Sequence, residues 1–198
     1  MLDIIKTLPN TFIPIFVAID VFMVLPIFIS MTKDMTEPTR QVVVRDSIIT
    51  ALIVSIVFIA LGEGIFKILG ITSDDFKIAG GLVLLVFAVM DLIQRGEARL
   101  RSDAKMGVVP LGVPLIAGPA VLTTTLVLVT HYGIVSTLVS LILNLFIVWI
   151  SLLKAERIIR FFGKGGIIGI SKVMALLLAS IAIMMIRIGI ENIIKSNG

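Results

Sequence analysis

Advancing 93 residues along this chain returns the same punctuation with no change of register. Pro26 falls on Pro119, Ser30 on Thr123, Thr32 on Thr125, Glu63 on Glu156, Lys67 on Arg160 and Gly70 on Gly163. Each copy holds three apolar runs long enough to cross a bilayer, for which a helix needs about 20 mostly apolar residues. An odd number of spans obliges the second copy to enter the membrane from the opposite face. The expected fold is an all-α membrane protein of six transmembrane helices built as two inverted three-helix repeats, the plan of many secondary transporters.

The runs fall at 8–32, 44–62, 76–93, 107–130, 134–153 and 173–194. They give one integral membrane domain over 1–198, with repeat one at 8–93, a connector at 94–106 and repeat two at 107–194. Composition agrees: 58% of residues are hydrophobic and 15% charged, against about 45–50% and about 25% in soluble domains, and mean hydropathy is +1.16. The apolar run after Asn10 continues past any small-residue cleavage site, so the N-terminus is expected to be retained. With no cysteine, disulfides, thiolate metal sites and cysteine nucleophiles are excluded.

The net charge of +4 does not indicate nucleic acid, because the basic residues sit between apolar runs and not on one amphipathic face. Twelve of the 17 Lys and Arg lie in the first, third and fifth connectors, bounded by Lys33–Arg45, Asp91–Lys105 and Lys154–Lys172. By the positive-inside rule these connectors are cytoplasmic and both termini extracytoplasmic, in a cell (inner) membrane.

Chemistry is expected where the fourth span breaks. Pro110, Gly112, Pro114, Gly118 and Pro119 fall within ten residues, and Thr123-Thr124-Thr125 follows. Proline removes an amide donor and clashes with the preceding turn, and a broken backbone persists in hydrocarbon only where it lines a cavity or is packed by protein. A half-helix opening at Pro119 would aim its positive end at the midplane, where a carboxylate suits it. The plainer alternative is a proline-kinked span packed against a neighbour. Pro26, with Ser30 and Thr32, is the matching break of the first span, so the first and fourth helices are both expected to be broken.

Asp20 is the carboxylate well inside the first span, and an ionisable group at that depth is a functional candidate by default. It could hold a substrate ammonium, bind Na⁺ or carry a proton; the plainer reading pairs it with a neighbouring helix. Its repeat position is Val113, so the site would be asymmetric. The substrate-binding set is thus Asp20, Pro26, Ser30, Thr32, Gly112, Pro114, Gly118, Pro119 and Thr123. No metal or cofactor is expected beyond a coupling ion, Na⁺ or H⁺.

The remaining polar residues read as structural. Asn144 and Ser180 should bond across helices, and Gly80-Gly81 should permit close approach. Arg187 should reach the interface on its long stem. Glu63 and Glu156, both at span ends, should be interfacial or paired with Lys67 and Arg160 four residues on, and His131 falls in a short exposed turn. An enzyme is not expected, since hydrolysis needs a nucleophile with a base or a metal cluster. Nor do Trp149 and Tyr132 build the large aromatic pocket of a drug pump.

The run Val109-Pro110-Leu111-Gly112-Val113-Pro114-Leu115-Ile116-Ala117-Gly118-Pro119 closely resembles the fourth-span signature of the MarC family of integral membrane proteins. Leu69-Gly70-Ile71 with Phe76-Lys77-Ile78-Ala79-Gly80-Gly81 resembles that family's entry to the third span, and Pro26-Ile27-Phe28-Ile29-Ser30-Met31-Thr32 the end of its first. The resemblance implies six spans and an inner-membrane location, and some relatives are described as SnatA-type neutral amino-acid transporters. One departure stands out: of the family's Asp-Pro-x-Gly-Asn-x-Pro, only Asp20 and Pro26 are present, with Val21, Met23 and Val24 at the Pro, Gly and Asn places.

Together these readings predict a secondary transporter for a small neutral amino acid such as glycine or alanine, with Gly112, Ala117 and Gly118 limiting side-chain size. The rival is a non-transporting scaffold or assembly partner that keeps the fold, which the depleted first-span motif favours. The expected partners are membrane lipids and the solute, not nucleic acid; an oligomer is compatible with the sequence.

Overall fold

The computed structural model describes residues 2–93 and 116–197, which form seven helices and, among the described residues, no strand. They are α1 (Leu2–Ile19), α2 (Val21–Thr32), α3 (Glu37–Leu69), α4 (Ser73–Ile93), α5 (Pro119–Tyr132), α6 (Ile134–Leu153) and α7 (Ala155–Asn197). Five segments are long and apolar enough to cross a membrane: Thr7–Thr32, Glu37–Gly62, Asp74–Ile93, Ile134–Leu153 and Gly165–Lys195. Side chains such as Leu61, Ile68 and Phe161 are exposed on the outer surface, as lipid-facing positions should be. The chain is an integral, multi-pass membrane protein.

Side-chain bonds fix the directions of the helices. Thr7 Oγ1 meets Ser136 Oγ at 3.0 Å, and one turn on Thr11 Oγ1 meets Ser140 Oγ at 2.6 Å. The constant offset means that α1 and α6 run parallel. Asn144 continues the ladder by donating to Phe12 O at 3.2 Å. At the opposite end Arg40, at the start of α3, donates to Glu156 at the start of α7 at 2.8 Å, and its guanidinium also lies 5.6 Å from the Phe28 ring centre. That hydrogen bond, aided by the charge of Arg40, holds the Glu156 carboxyl below its usual range. Glu156 thus pairs with a different helix, not with Arg160 as its spacing suggested.

The most extensive interface joins α4 to α7, antiparallel, through glycine. A Cβ on Gly81 would lie 2.7 Å from Ala182 O, and one on Gly189 would lie 2.9 Å from Asp74 O. Where lipid is as apolar as the side chains, close backbone approach and van der Waals contact supply the cohesion. Ser180 differs from expectation: it is exposed and donates to Leu176 O in its own helix.

Three expected connectors are largely helical. α3 begins at Glu37 and runs to Leu69, and α7 covers most of Lys154–Lys172, interrupted at Gly163. Gly70 (φ 68°) and Gly163 (φ 70°), which the sequence comparison matched, take the same left-handed backbone, which glycine adopts without steric cost.

The break in the first span is at Asp20, not at Pro26. Asp20 has φ 45° and ψ 63°; its N–H closes α1 on Phe16 O, and its carbonyl opens α2 by accepting from Met23 and Val24. Asp is among the few residues that tolerate this conformation. Pro26 lies in the second turn of α2, close enough to the break that little helix precedes it to be bent.

Gly81→Ala should destabilise the protein by about 1–3 kcal/mol, the usual cost of overpacking, whereas Gly169→Ala, with nothing within 4 Å of its Cβ, should be neutral or stabilising. Thermal unfolding of the two variants in one detergent checks the contrast.

Candidate functional site

Asp20 and the start of α5 line one cavity of about 110 Å³, room for several waters or a small solute. On one side are Asp20 and the flanking residues of α1 and α2; on another are Gly118, Pro119, Ala120 and Val121; α4 contributes Phe87 and Asp91, and α7 contributes Ala175 and Leu178.

The two breaks supply complementary polarity. Gly118 is extended (φ −68°, ψ 169°) with no side-chain cap, and Pro119 is the first helical residue. Proline has no N–H, and the next amides of a helix's first turn lack intrahelical acceptors, so the positive end of α5 meets the cavity. The 14 residues of α5 rise about 21 Å, less than the thickness of about 30 Å of a hydrocarbon core. With its carboxyl end at one interface, its amino end would lie at depth. Across the cavity stand the carboxylates of Asp20 and Asp91, the charged side chains among the described lining residues. Ser171 Oγ donates to Asp20 Oδ2, which orients that carboxylate from α7. Next to Ser171, Lys172 reaches the carboxyl end of α4, donating to Asp91 O and Leu92 O.

Of the residues expected at the site, Asp20, Gly118 and Pro119 meet on this cavity. Pro26, Ser30, Thr32 and Thr123 do not line it. Ser30 is exposed, Thr32 is buried and donates to Phe28 O at 2.8 Å, and Thr123 turns its methyl toward Gly80. With the break at Asp20, α2 continues as regular helix and turns Met23, Val24 and Ile27 to the cavity, leaving Pro26, Ser30 and Thr32 off it. Gly112 and Pro114 lie outside the described residues. Phe87, Asp91, Ser171 and Ala175 were missed: Asp91 reads as a connector charge, and Ser171 is 151 residues from its partner.

A second cavity, of about 90 Å³, lies at the other end of the same helices, walled by residues of α1, α4, α5 and α7. Between the two is a cluster of buried apolar side chains that includes Val17, Leu84, Ala88, Val127, Leu178 and Met185. Val17 and Leu178 also wall the Asp20 cavity, and Val127 and Met185 the second. The cluster is the partition between them.

Fold and site define a polytopic membrane protein with a small cavity lined by Asp20 and Asp91. The profile of the MarC family of integral membrane proteins matches residues 5–194. The chain is 31% identical over 195 residues to a UPF0056 membrane protein of Methanocaldococcus jannaschii, covering 91% of this chain and 94% of the relative. It is also 31% identical over 195 residues to the UPF0056 membrane protein YhcE of Escherichia coli, with 92% and 91% covered. To the UPF0056 inner membrane protein YhgN of the same species it is 31% identical over 180 residues, with 86% and 89% covered. No solved structure matches. The chain belongs to the MarC family of integral membrane proteins.

Because the chain has no cysteine, single cysteines report accessibility directly. Ala175→Cys, in the cavity wall, should react with a small water-soluble thiol reagent in the folded protein. Ala51→Cys, at a site buried in the apolar core, should stay protected until unfolding; equal protection of both would show that water does not reach the cavity.

Proposed function

We propose that this protein is a secondary carrier of a small neutral amino acid, glycine or alanine in size, working by alternating access in an inner or plasma membrane. The observation that carries this reading is the meeting of Asp20 and the amino end of α5 on one small cavity. The carboxylate suits an ammonium and the helix end suits a carboxylate, so a zwitterion satisfies both. Asp20 holds the ammonium or couples Na⁺ or a proton; a 110 Å³ volume bounded by Gly118 and Ala120 favours a short side chain.

Alternating access is supported by two cavities on one set of helices with an apolar partition between them. In this reading the chain crosses the membrane six times as two inverted repeats. The shared left-handed glycines Gly70 and Gly163, and the pairing of α4 with α7, the third helix of each repeat, support it. The twelve basic residues of the first, third and fifth connectors face the cytoplasm, with both termini outside.

The scaffold reading draws on one observation. Val21, Met23 and Val24, which stand at the Pro, Gly and Asn places of the resembled motif, are buried apolar packing residues.

The test is uptake of radiolabelled glycine and alanine into proteoliposomes, with and without Na⁺ and proton gradients. The carrier reading predicts gradient-dependent accumulation that is lost in Asp20→Asn and in Gly118→Leu. Asn tolerates the left-handed backbone and can still accept from Ser171, so its loss of uptake reports the charge. Absence of uptake by inserted wild-type protein, or unimpaired uptake in both variants, would overturn it.

A further inference from the structure

We infer that the second cavity, at the end of the helix set where α1 and α4 begin, is a separate ligand site for a small carboxylate with a short aliphatic tail. Lys77, on the first turns of α4, is 7% exposed and is one of its wall residues. A buried ammonium is costly unless its hydrogens find acceptors. Its Nζ donates to Asp74 Oδ1 at 2.8 Å, and Asn192 takes the same oxygen at 2.9 Å. Asp74 therefore accounts for one of the three ammonium donors, on the side away from the cavity, since Asp74 is not a wall residue.

His131, at the end of α5, is in the same wall and adds a ring N–H donor. Thr124 is also a wall residue, but its hydroxyl oxygen is fully buried and is not counted among the donors. Apart from Asn10 and Tyr132, the rest of the wall is aliphatic and thioether, chiefly Val127, Ile181, Met185 and Ile188. Donors at one edge of an apolar pocket of about 90 Å³ match an anionic head on a tail of a few carbons. The polarity is the reverse of the Asp20 cavity, where both charged wall residues are acidic. This assignment needs no transport cycle and stands whether or not the protein is a carrier.

Ligand-observed NMR titration of the full-length protein in detergent tests it with butyrate and its uncharged isostere butyramide. Butyrate should bind at least tenfold more tightly than butyramide, and Lys77→Gln should remove that preference. Ile188→Trp, which fills the pocket and leaves the Lys77–Asp74 pair intact, should abolish binding of both, so the result does not hang on the folding of the Lys77 variant. Asp20→Asn and Gly118→Leu should leave butyrate binding unchanged. Equal binding of the two probes, no binding to folded wild type, or loss of binding in the Gly118 variant with retention in Ile188→Trp would overturn the assignment. Binding of butyrate only in lipid-free detergent, and its displacement by anionic lipid in nanodiscs, would also overturn it by assigning the ammonium to a lipid headgroup.

Discussion

A helix can be interrupted inside hydrocarbon only where something other than lipid receives the freed backbone groups. This chain parts α1 from α2 at Asp20 and opens α5 at Pro119, and both helix ends face the same small cavity. Each break is tolerable because the other is there. The cavity admits polar contents to the amides of α5, and those contents have Asp20 opposite them. Removing either break would leave the other addressing an apolar wall.

Around that pair the packing divides the protein in two. A large apolar cluster joins α1 and α2 to α3, α5, α6 and, through Ala155 and Ile167, the first part of α7, reinforced by the hydroxyl ladder between α1 and α6. A smaller one joins α1 and α5 to the tightly packed α4–α7 pair. Both cavities lie on the seam between these bodies, next to the smaller cluster. The seam is where relative motion would cost least, because it is partly empty and its partition has no hydrogen bonds to break. Glycine contacts lock α4 to α7, so those helices would move as a unit.

The helical runs, the membrane class and the deep acidic residue were legible in the sequence, because apolar length and an isolated carboxylate are local signals. The matched glycines Gly70 and Gly163 were legible as well, and both take a positive φ that glycine adopts without steric cost. The place of the first break was not. Proline at 26 is the conspicuous helix breaker, yet the chain turns at Asp20, whose left-handed backbone leaves no compositional mark. The aspartate's polar partner was equally hidden, since Ser171 is an ordinary serine until folding brings α7 against α1. Nothing in the sequence marks Lys77 beyond its place in the run that opens the third span, yet it is nine-tenths buried, in a wall shared with α5 and α7.

The central claim is that the Asp20 cavity is reached from either face of the membrane in turn. Its most direct test is the reaction of Ala120→Cys, in the wall of that cavity, with a membrane-impermeant thiol reagent applied to one face at a time in vesicles of defined sidedness. The account predicts reaction from both faces, with the balance between them shifted when glycine or alanine is added. Reaction from a single face, unchanged by either solute and by any ion gradient, would contradict it.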